Sequence, residues 1–589
     1  MEIFYVMFKL IKYLRGYVKE CIMAPLFKFL EACFELTVPV IMAHIIDTGI
    51  ASSDKEYILK MCGVLVLMGI LGLCSALTAQ FFAAKAAYGF GTAVRRDLFK
   101  KINSLSMSQL DKFGASSLIT RITGDINRAE SGVNMFLRLF LRSPFIVIGA
   151  MAAALMLDTR AAVVFLVAVP VMGLLIYILM HISVPFYKKA QTSLDRVSQI
   201  TRENLTGVRV IRAFSRQDAE IESFSDANAE LKSINEKVGS ISALMNPLTY
   251  IVVNLAIAAV LWVGGIRVNI GGMQQGEVVA MVNYLTQILV AMLMLAQLIV
   301  TLTKAMASGT RIAEVLELSP DMPDNAAEAA AANSCDTVLE FDNVSFEYSG
   351  SKEDALSGIS FKLNRGQNIG IIGGTGSGKS TLVNLIPRFY DVTSGSVKID
   401  GTDVRNMSFK QLRRKIGYVP QKASLLTGTI RENMRWRDEN ADDSEIIEAL
   451  KTAQAYDFIF QKDGLDTPVS QEGKNFSGGQ RQRLTIARAL VSSPEILILD
   501  DSSSALDLMT ESRLRRALSN ANPNMTQVIV SQRISTIRDA DLIIVLDDGS
   551  AVGMGTHKEL LENCEIYREI CATQIPEELN GTAAERISK

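Results

Sequence analysis

The chain has only three histidines in 589 residues, at positions 44, 181 and 557, a scarcity that bears on its chemistry below. Its seven cysteines (Cys21, Cys33, Cys62, Cys74, Cys335, Cys564 and Cys571) include no C-x-x-C pair and form no even framework. That excludes a disulfide scaffold and a cysteine metal site, and leaves reduced packing residues. Net charge is −2, so no global basic excess points to nucleic acid. No cleavable signal peptide is expected. Met1 to Lys19 mixes aromatics with Lys9, Lys12, Arg15 and Lys19, and reads either as an amphipathic helix on the cytoplasmic membrane surface or as the first turn of a spanning helix.

Against these absences stand a positive mean hydropathy and a charged fraction of 21%. Together with a length that implies several domain-sized units, they predict a membrane half joined to a soluble half. Apolar stretches long enough to span a bilayer, roughly 20 residues each, fall near 21–46, 58–84, 140–157, 161–183, 244–266 and 278–303. Two long basic loops, Lys85 to Arg142 and Pro185 to Ser242, are placed in the cytoplasm with the N-terminus by the positive-inside rule. Their helical periodicity predicts cytoplasmic extensions of the membrane helices, each broken by a short turn helix. Lys28, Glu31 and Glu35 share one face of the first span. They are either a cation-attracting patch in a transport cavity, or an intrahelical Lys28–Glu31 pair with Glu35 bonded to a neighbouring helix. Met281, Met292, Met294 and Met306 are either an adaptable lining for apolar ligands or ordinary packing. The expected domains are a transmembrane domain over 1–316, a Pro- and Ala-containing linker over 317–336, a nucleotide-binding domain over 337–575 and a tail over 576–589.

In the soluble half, Gly373-Gly374-Thr375-Gly376-Ser377-Gly378-Lys379-Ser380 fits G-x-x-x-x-G-K-[ST] at every fixed position. The apolar run Ile369, Ile371, Ile372 before it reads as a buried strand, and Thr381 to Ile386 as a helix start. Glycines let such a loop wrap an anion with its N–H groups. Lys379 reaches the β- and γ-phosphates and Ser380 a Mg²⁺ ion. Tyr348, about 25 residues upstream, is a candidate to stack on a base. Ile496 to Leu499 ends in Asp500, the form expected of a Mg²⁺-side carboxylate.

Phe476-Ser477-Gly478-Gly479-Gln480, followed by Arg481-Gln482-Arg483, resembles the signature motif of ATP-binding cassette (ABC) proteins. Gln421 in Tyr418-Val419-Pro420-Gln421 matches the family's Q-loop, Ser504-Ala505-Leu506-Asp507 its D-loop, and Tyr348 its adenine-stacking aromatic. Six spans before one cassette resemble an exporter-type half-transporter, and Thr206 to Phe214 is similar to the coupling-helix region of its second cytoplasmic loop. The resemblance implies a six-helix transmembrane domain with long cytoplasmic extensions, followed by an α/β P-loop cassette, in the plasma membrane with the N-terminus and cassette cytoplasmic. It implies ATP and Mg²⁺ as ligands, with the metal at Ser380, Gln421 and Asp500. It also implies head-to-tail pairing of two cassettes, so that ATP on Tyr348, Gly373–Ser380 and Thr381 meets the other chain's signature. Phe476, Ser477, Gly478, Gly479, Gln480 and Asp507 then serve the partner's nucleotide.

Two positions depart from the family. The residue after Asp500, usually the glutamate that polarises the attacking water, is Asp501, shorter by one methylene, or roughly 1.5 Å of reach; a 1 Å misplacement can cost on the order of 10²-fold in rate. The switch strand Val528-Ile529-Val530-Ser531-Gln532-Arg533 carries Gln532 where the family has histidine. Glutamine can hydrogen-bond phosphate but cannot shuttle a proton, and His557 lies too far downstream to substitute. The expectation is a subunit of an ATP-driven exporter of amphipathic, drug-like or lipid-like substrates, paired with a second half-transporter that supplies the faster site. A slow homodimer and an ATP-binding regulatory or channel-like subunit are the alternatives.

Overall fold

The computed structural model describes residues 10–324, 336–351 and 353–575. The first half of the Met1–Lys19 stretch, the 325–333 tract of the expected linker, Cys335 and the 576–589 tail lie outside them. The chain divides into two compact units, Met1–Asn103 with Ala115–Leu318, and Ser104–Gly114 with Ser319–Lys589.

In the first unit, six helical stretches among the described residues are long and apolar enough to cross a membrane. A 3₁₀ turn, Ile11–Tyr17, leads directly into the first span, α1 (Val18–His44). The second, α2 (Lys55–Asn103), buries Ser75, Ala79, Ala83, Ala86, Gly91 and Val94 in one stripe. Small residues at that spacing let backbones approach closely where lipid removes the hydrophobic drive between helices. The opposite face of α2, with Leu59, Val66, Ile70, Leu73 and Leu77, is exposed as lipid contact requires. After the turn helix α3 (Met107–Phe113) the chain returns through Ala115–Leu157, whose last segment is α4 (Arg142–Leu157). That stretch is helical from Ala115, well before the apolar part, with π-helical turns at Arg121–Asp125 and Phe136–Phe140. Then come α5 (Thr159–Thr206), the short α6 (Val208–Ala213), α7 (Gln217–Asn269) and α8 (Gln275–Leu316). At 1.5 Å per residue, helices of 48 and 53 residues are about two and a half times as long as the ~30 Å hydrocarbon core, so the basic loops are continuations of the spans. Pro170, Pro185 and Pro247 lie inside these helices, tolerated because neighbouring helices re-satisfy the freed carbonyls.

The charged face of α1 resolves to the second of its two readings. Lys28 Nζ lies 2.5 Å from Glu31, while Arg142, at the start of α4, reaches Glu35 at 2.5 Å and Glu31 at 3.7 Å. Two cations meet two anions, so the patch carries no excess negative charge to attract a cation. Met281 is fully buried in the helix core, which is ordinary packing.

In the second unit, β1 (Thr337–Phe346), β2 (Leu356–Asn364), β4 (Ser394–Ile399) and the two-residue β5 (Thr402–Asp403) form an antiparallel sheet ordered β2-β1-β4-β5. A six-stranded sheet runs β10-β9-β3-β8-β7-β6. Its strands are β3 (Asn368–Gly373), β6 (Ile416–Val419), β7 (Ile496–Asp500), β8 (Thr526–Val530), β9 (Leu542–Asp547) and β10 (Ser550–Gly555). All neighbours are parallel except β9 with β10. Every residue of β7 is buried, the near-continuous apolar run of a strand covered on both faces. A separate cluster packs Leu484, Ile486, Val469 and Phe476 around the helix α10 (Gly478–Leu490).

Candidate nucleotide site

Strand register converges the site. Val530 of β8 stands opposite Ile371 of β3 on one side and Asp500 of β7 on the other, and Leu546 of β9 stands opposite Gly373. The carboxyl ends of four parallel strands therefore meet at one edge, where ligands of open α/β sheets bind. The loop after β3, Asp500 and Asp501 after β7, and Gln532 after β8 all face a cleft of about 410 Å³.

The loop's glycines are needed for space and for conformation. A Cβ on Gly373 would sit 2.0 Å from the Leu546 carbonyl oxygen. Gly378, with φ 93°, turns the chain into the helix α9 (Lys379–Leu385), and a Cβ there would lie 2.8 Å from Ala355 O. Lys379 Nζ donates to the carbonyls of Gly373, at 3.0 Å, and Gly374, and approaches Ser377 Oγ at 3.3 Å. Its ammonium is thus strung across the loop. Burial lowers its pKa, opposed by Asp501 and Asp500.

Ser380 Oγ donates to Asp500 Oδ1 at 3.0 Å. Asp500 is buried, and burial raises its pKa; Ser380 and Lys379 pull it down, while Asp501 pushes it further up. Burial also raises the pKa of Asp501, against a hydrogen bond from Gln421 and the charges of Lys379 and Arg533. Hard oxygens at a helix start and a strand end, short of positive charge, fit a Mg²⁺ ion that takes one hydroxyl and one carboxylate and leaves its other positions to phosphate and water. Ser380 and Asp500 would hold that ion. Gln421, expected as a third ligand, lines the same cleft. Asp501 sits at φ 45°, a strained backbone for a non-glycine residue.

Tyr348 lines the cleft, and its hydroxyl lies 3.1 Å from Thr381 Oγ1, so the expected aromatic and the loop are in contact. Thr375, Gly376 and Gly378 also line it, whereas Ser377 is buried behind the loop. Gln532 lines the cleft and is exposed; its main-chain oxygen accepts from Gln574 Nε2 at 2.7 Å. Among the described residues no histidine does so; His557 Nδ1 is instead 2.7 Å from the Tyr567 hydroxyl.

The signature segment stands apart from this cleft. Ser477 caps α10 by accepting from Gln480 N, in a reciprocal capping box. Gly478 has open space where a Cβ would be, so its backbone is presented outward. Phe476, grouped by sequence with the nucleotide contacts, is buried with its ring edge-on to Phe458. It anchors the motif and does not face a ligand. Asp507 caps the helix α11 (Leu508–Ala521), accepting from Thr510 N and Oγ1, and those bonds hold its pKa low. The sequence reading missed Glu353, Asp354, Asp548 and Gly549, which also line the cleft. For the last two the signal was available: Asp548-Gly549 is a turn dipeptide at a strand end.

Residues 21–292 match the family profile of the ABC transporter transmembrane region, and residues 356–504 match that of the ABC transporter. The chain is similar to YfiB of Bacillus subtilis (strain 168), an uncharacterized ABC transporter ATP-binding protein, at 37% identity covering 97% of this chain and 99% of that one. It is also similar to the putative multidrug export ATP-binding/permease protein YgaD of the same organism, at 32% identity over 97% and 99% of the two chains. At 29% identity it resembles the ATP-dependent lipid A-core flippase of Chromobacterium violaceum, over 97% of each chain.

Proposed function

The chain belongs to the ABC transporter family, and we propose that it is the slow-site half of a heterodimeric exporter. The family assignment makes it an ATPase-coupled transporter, multi-pass in the plasma membrane with a cytoplasmic ATP-binding domain. The finer reading rests on one observation: Asp501 and Gln532 face the same cleft as an intact phosphate loop. Every group that holds Mg·ATP is retained, whereas both groups that act on the attacking water and the γ-phosphate are changed.

In this reading ATP binds between Lys379, the loop amides and Tyr348. Ser380 and Asp500 would hold a Mg²⁺ ion, whose chemistry would be to neutralise phosphate charge. Gln532 donates a hydrogen bond to the γ-phosphate without taking a proton from water. ATP therefore stays longer on this chain and keeps the two cassettes in contact. The outward Gly478 backbone and Ser477 complete the second half-transporter's site, where most turnover occurs. Cassette closure then shifts the membrane helices from inward- to outward-facing. Relatives named for a lipid flippase and for multidrug export support amphipathic cargo.

The test is isolation of the tagged chain from its native membrane with its partner, followed by ATPase assays in lipid nanodiscs. Replacing the partner's catalytic glutamate should lower turnover by on the order of 10²-fold, and Asp501→Asn should change it less than about threefold. Loss of turnover with Asp501→Asn alone, or an active complex that contains only this chain, overturns the asymmetric reading.

A further inference from the structure

Strand β8 ends at Val530 and the next helix, α12 (Ile534–Ile537), starts four residues later, so Gln532 lies on a short connection between the two. Its backbone groups need partners that neither element supplies. Ser531 N donates to the Ile371 carbonyl at 3.1 Å, and Arg533 N donates to Ser531 Oγ at 2.9 Å. Arg533, the residue before α12, gives that helix no side-chain cap. Two further groups, the Gln532 carbonyl and the first N–H of α12, are both taken by one side chain 42 residues beyond Gln532. Gln574 Nε2 donates to the Gln532 carbonyl at 2.7 Å, and Ile534 N donates to Gln574 Oε1 at 2.9 Å. Arg533 between them is extended, at φ −100° and ψ 124°, which turns that carbonyl and that N–H to one edge. A single side-chain amide thus pairs with this connection as a neighbouring strand would.

Helical spacing delivers Gln574 to that edge. It ends α13 (Glu565–Gln574), whose Tyr567 and Cys571 are buried in one cluster with Ile534 and Ile537. Positions 567, 571 and 574 follow i, i+4, i+7, so packing of the first two aims the third at the connection. From the other side, Arg533 Nη1 lies 3.2 Å from Glu511 Oε2, and Thr536 Oγ1 donates to Glu511 Oε1 at 2.5 Å. Glu511 holds the residues after the switch position; Gln574 bonds the switch residue itself. Gln574 does not line the cleft, so any effect it has on a nucleotide passes through Gln532.

We propose that Gln574 is a positioning residue for the switch position. It fixes the Gln532 main chain so that the side chain stays at the cleft for a γ-phosphate, and it thereby sets this chain's preference for ATP over ADP. The proposal rests on the ATP-binding reading above and extends it to a residue outside the cleft. A connection without the clamp must be ordered when ATP binds, and that entropy is subtracted from affinity. ADP has no γ-phosphate and draws nothing from the clamp. A Gln574 that only tied α13 to the sheet would act on both nucleotides alike.

The test is calorimetric binding of Mg·ATP and Mg·ADP to the full-length chain with its partner in nanodiscs, the partner's own site being disabled at its phosphate-loop lysine. Gln532→Ala should weaken ATP binding by about tenfold, the loss of one hydrogen bond to a charged group, and leave ADP within about twofold. Gln574→Leu, at an exposed position, removes both clamp bonds. It should weaken ATP binding by about fivefold and ADP binding by less than about twofold. Added to Gln532→Ala, the same change should alter ATP binding by less than about twofold, because the two residues act in series. Unchanged ATP affinity in Gln574→Leu, an equal loss for ATP and ADP, or an undiminished loss on the Gln532→Ala background overturns the proposal. No ATP binding by the unmodified complex, or ATP binding indifferent to Gln532→Ala, would instead overturn the functional reading beneath it.

Discussion

Two pairs of carboxylates, one in the membrane half and one in the cassette, show how the same chemistry serves different ends. Glu31 and Glu35 on α1 look from sequence like a binding patch, yet Lys28 and Arg142 neutralise them. Asp500 and Asp501 sit at strand ends with raised pKa values, Lys379 strung across the loop nearby, and a cleft in front. The first pair is closed by protein cations and ties α1 to α4. The second is left short of positive charge and can be completed from outside. A buried acid marks a site when its neutraliser is missing, not merely when it is buried.

This contrast predicts a double dissociation. Lys379→Ala should weaken ATP binding by on the order of 100-fold, because charge-assisted bonds to phosphate are lost in a partly desolvated cleft. It should leave the melting temperature of the nucleotide-free protein nearly unchanged, since the lysine's partners there are loop carbonyls. Arg142→Ala should do the reverse. It strands Glu31 and Glu35 and should destabilise the membrane unit by about 2 kcal/mol, between the values for exposed and fully buried pairs, with ATP affinity unaltered. Calorimetric ATP binding and thermal unfolding in nanodiscs separate the two. If both variants lose both properties, the distinction between a structural and a ligand-directed acid pair fails here.

A smaller effect sharpens the cassette side. Burial raises the Asp500 pKa in the folded state above its unfolded value, so the ionised form opposes folding once pH rises through the folded value. Asp500→Asn should therefore raise the melting temperature of the nucleotide-free protein at pH 7 while abolishing the Mg²⁺ dependence of ATP binding. In the unmodified protein that Mg²⁺ dependence should fade on acidification from a pH above the ~3.9 of an ordinary aspartate, because protons compete with the cation. A melting temperature lowered by Asp500→Asn would contradict this assignment.

The parts legible in the sequence were those in which local chemistry is fixed by a ligand or by periodicity. Gly373 to Ser380 admits few residue types because backbone and phosphate must approach closely, and the spans announce themselves by length and hydropathy. What stayed hidden depends on which distant segments meet. Arg142 lies 107 residues from Glu35, and the packing of α4 against α1 decides that they touch. Phe476 sits inside a nucleotide-contact motif and is apolar; only the packing of the cluster around α10 shows that it faces inward. That Gln421 and Asp501 line one cleft is equally invisible, because it depends on how two loops at the sheet edge fold toward each other.

Nucleotide on this chain's phosphate loop should outlast turnover at the partner's. Photo-crosslinking of the complex during steady-state turnover, with 8-azido-ATP labelled at either the α- or the γ-phosphate, tests it directly. The α- and γ-labels should be recovered on this chain in nearly equal amounts, with the γ-label largely lost from the partner. Equal loss of the γ-label from both chains would contradict it.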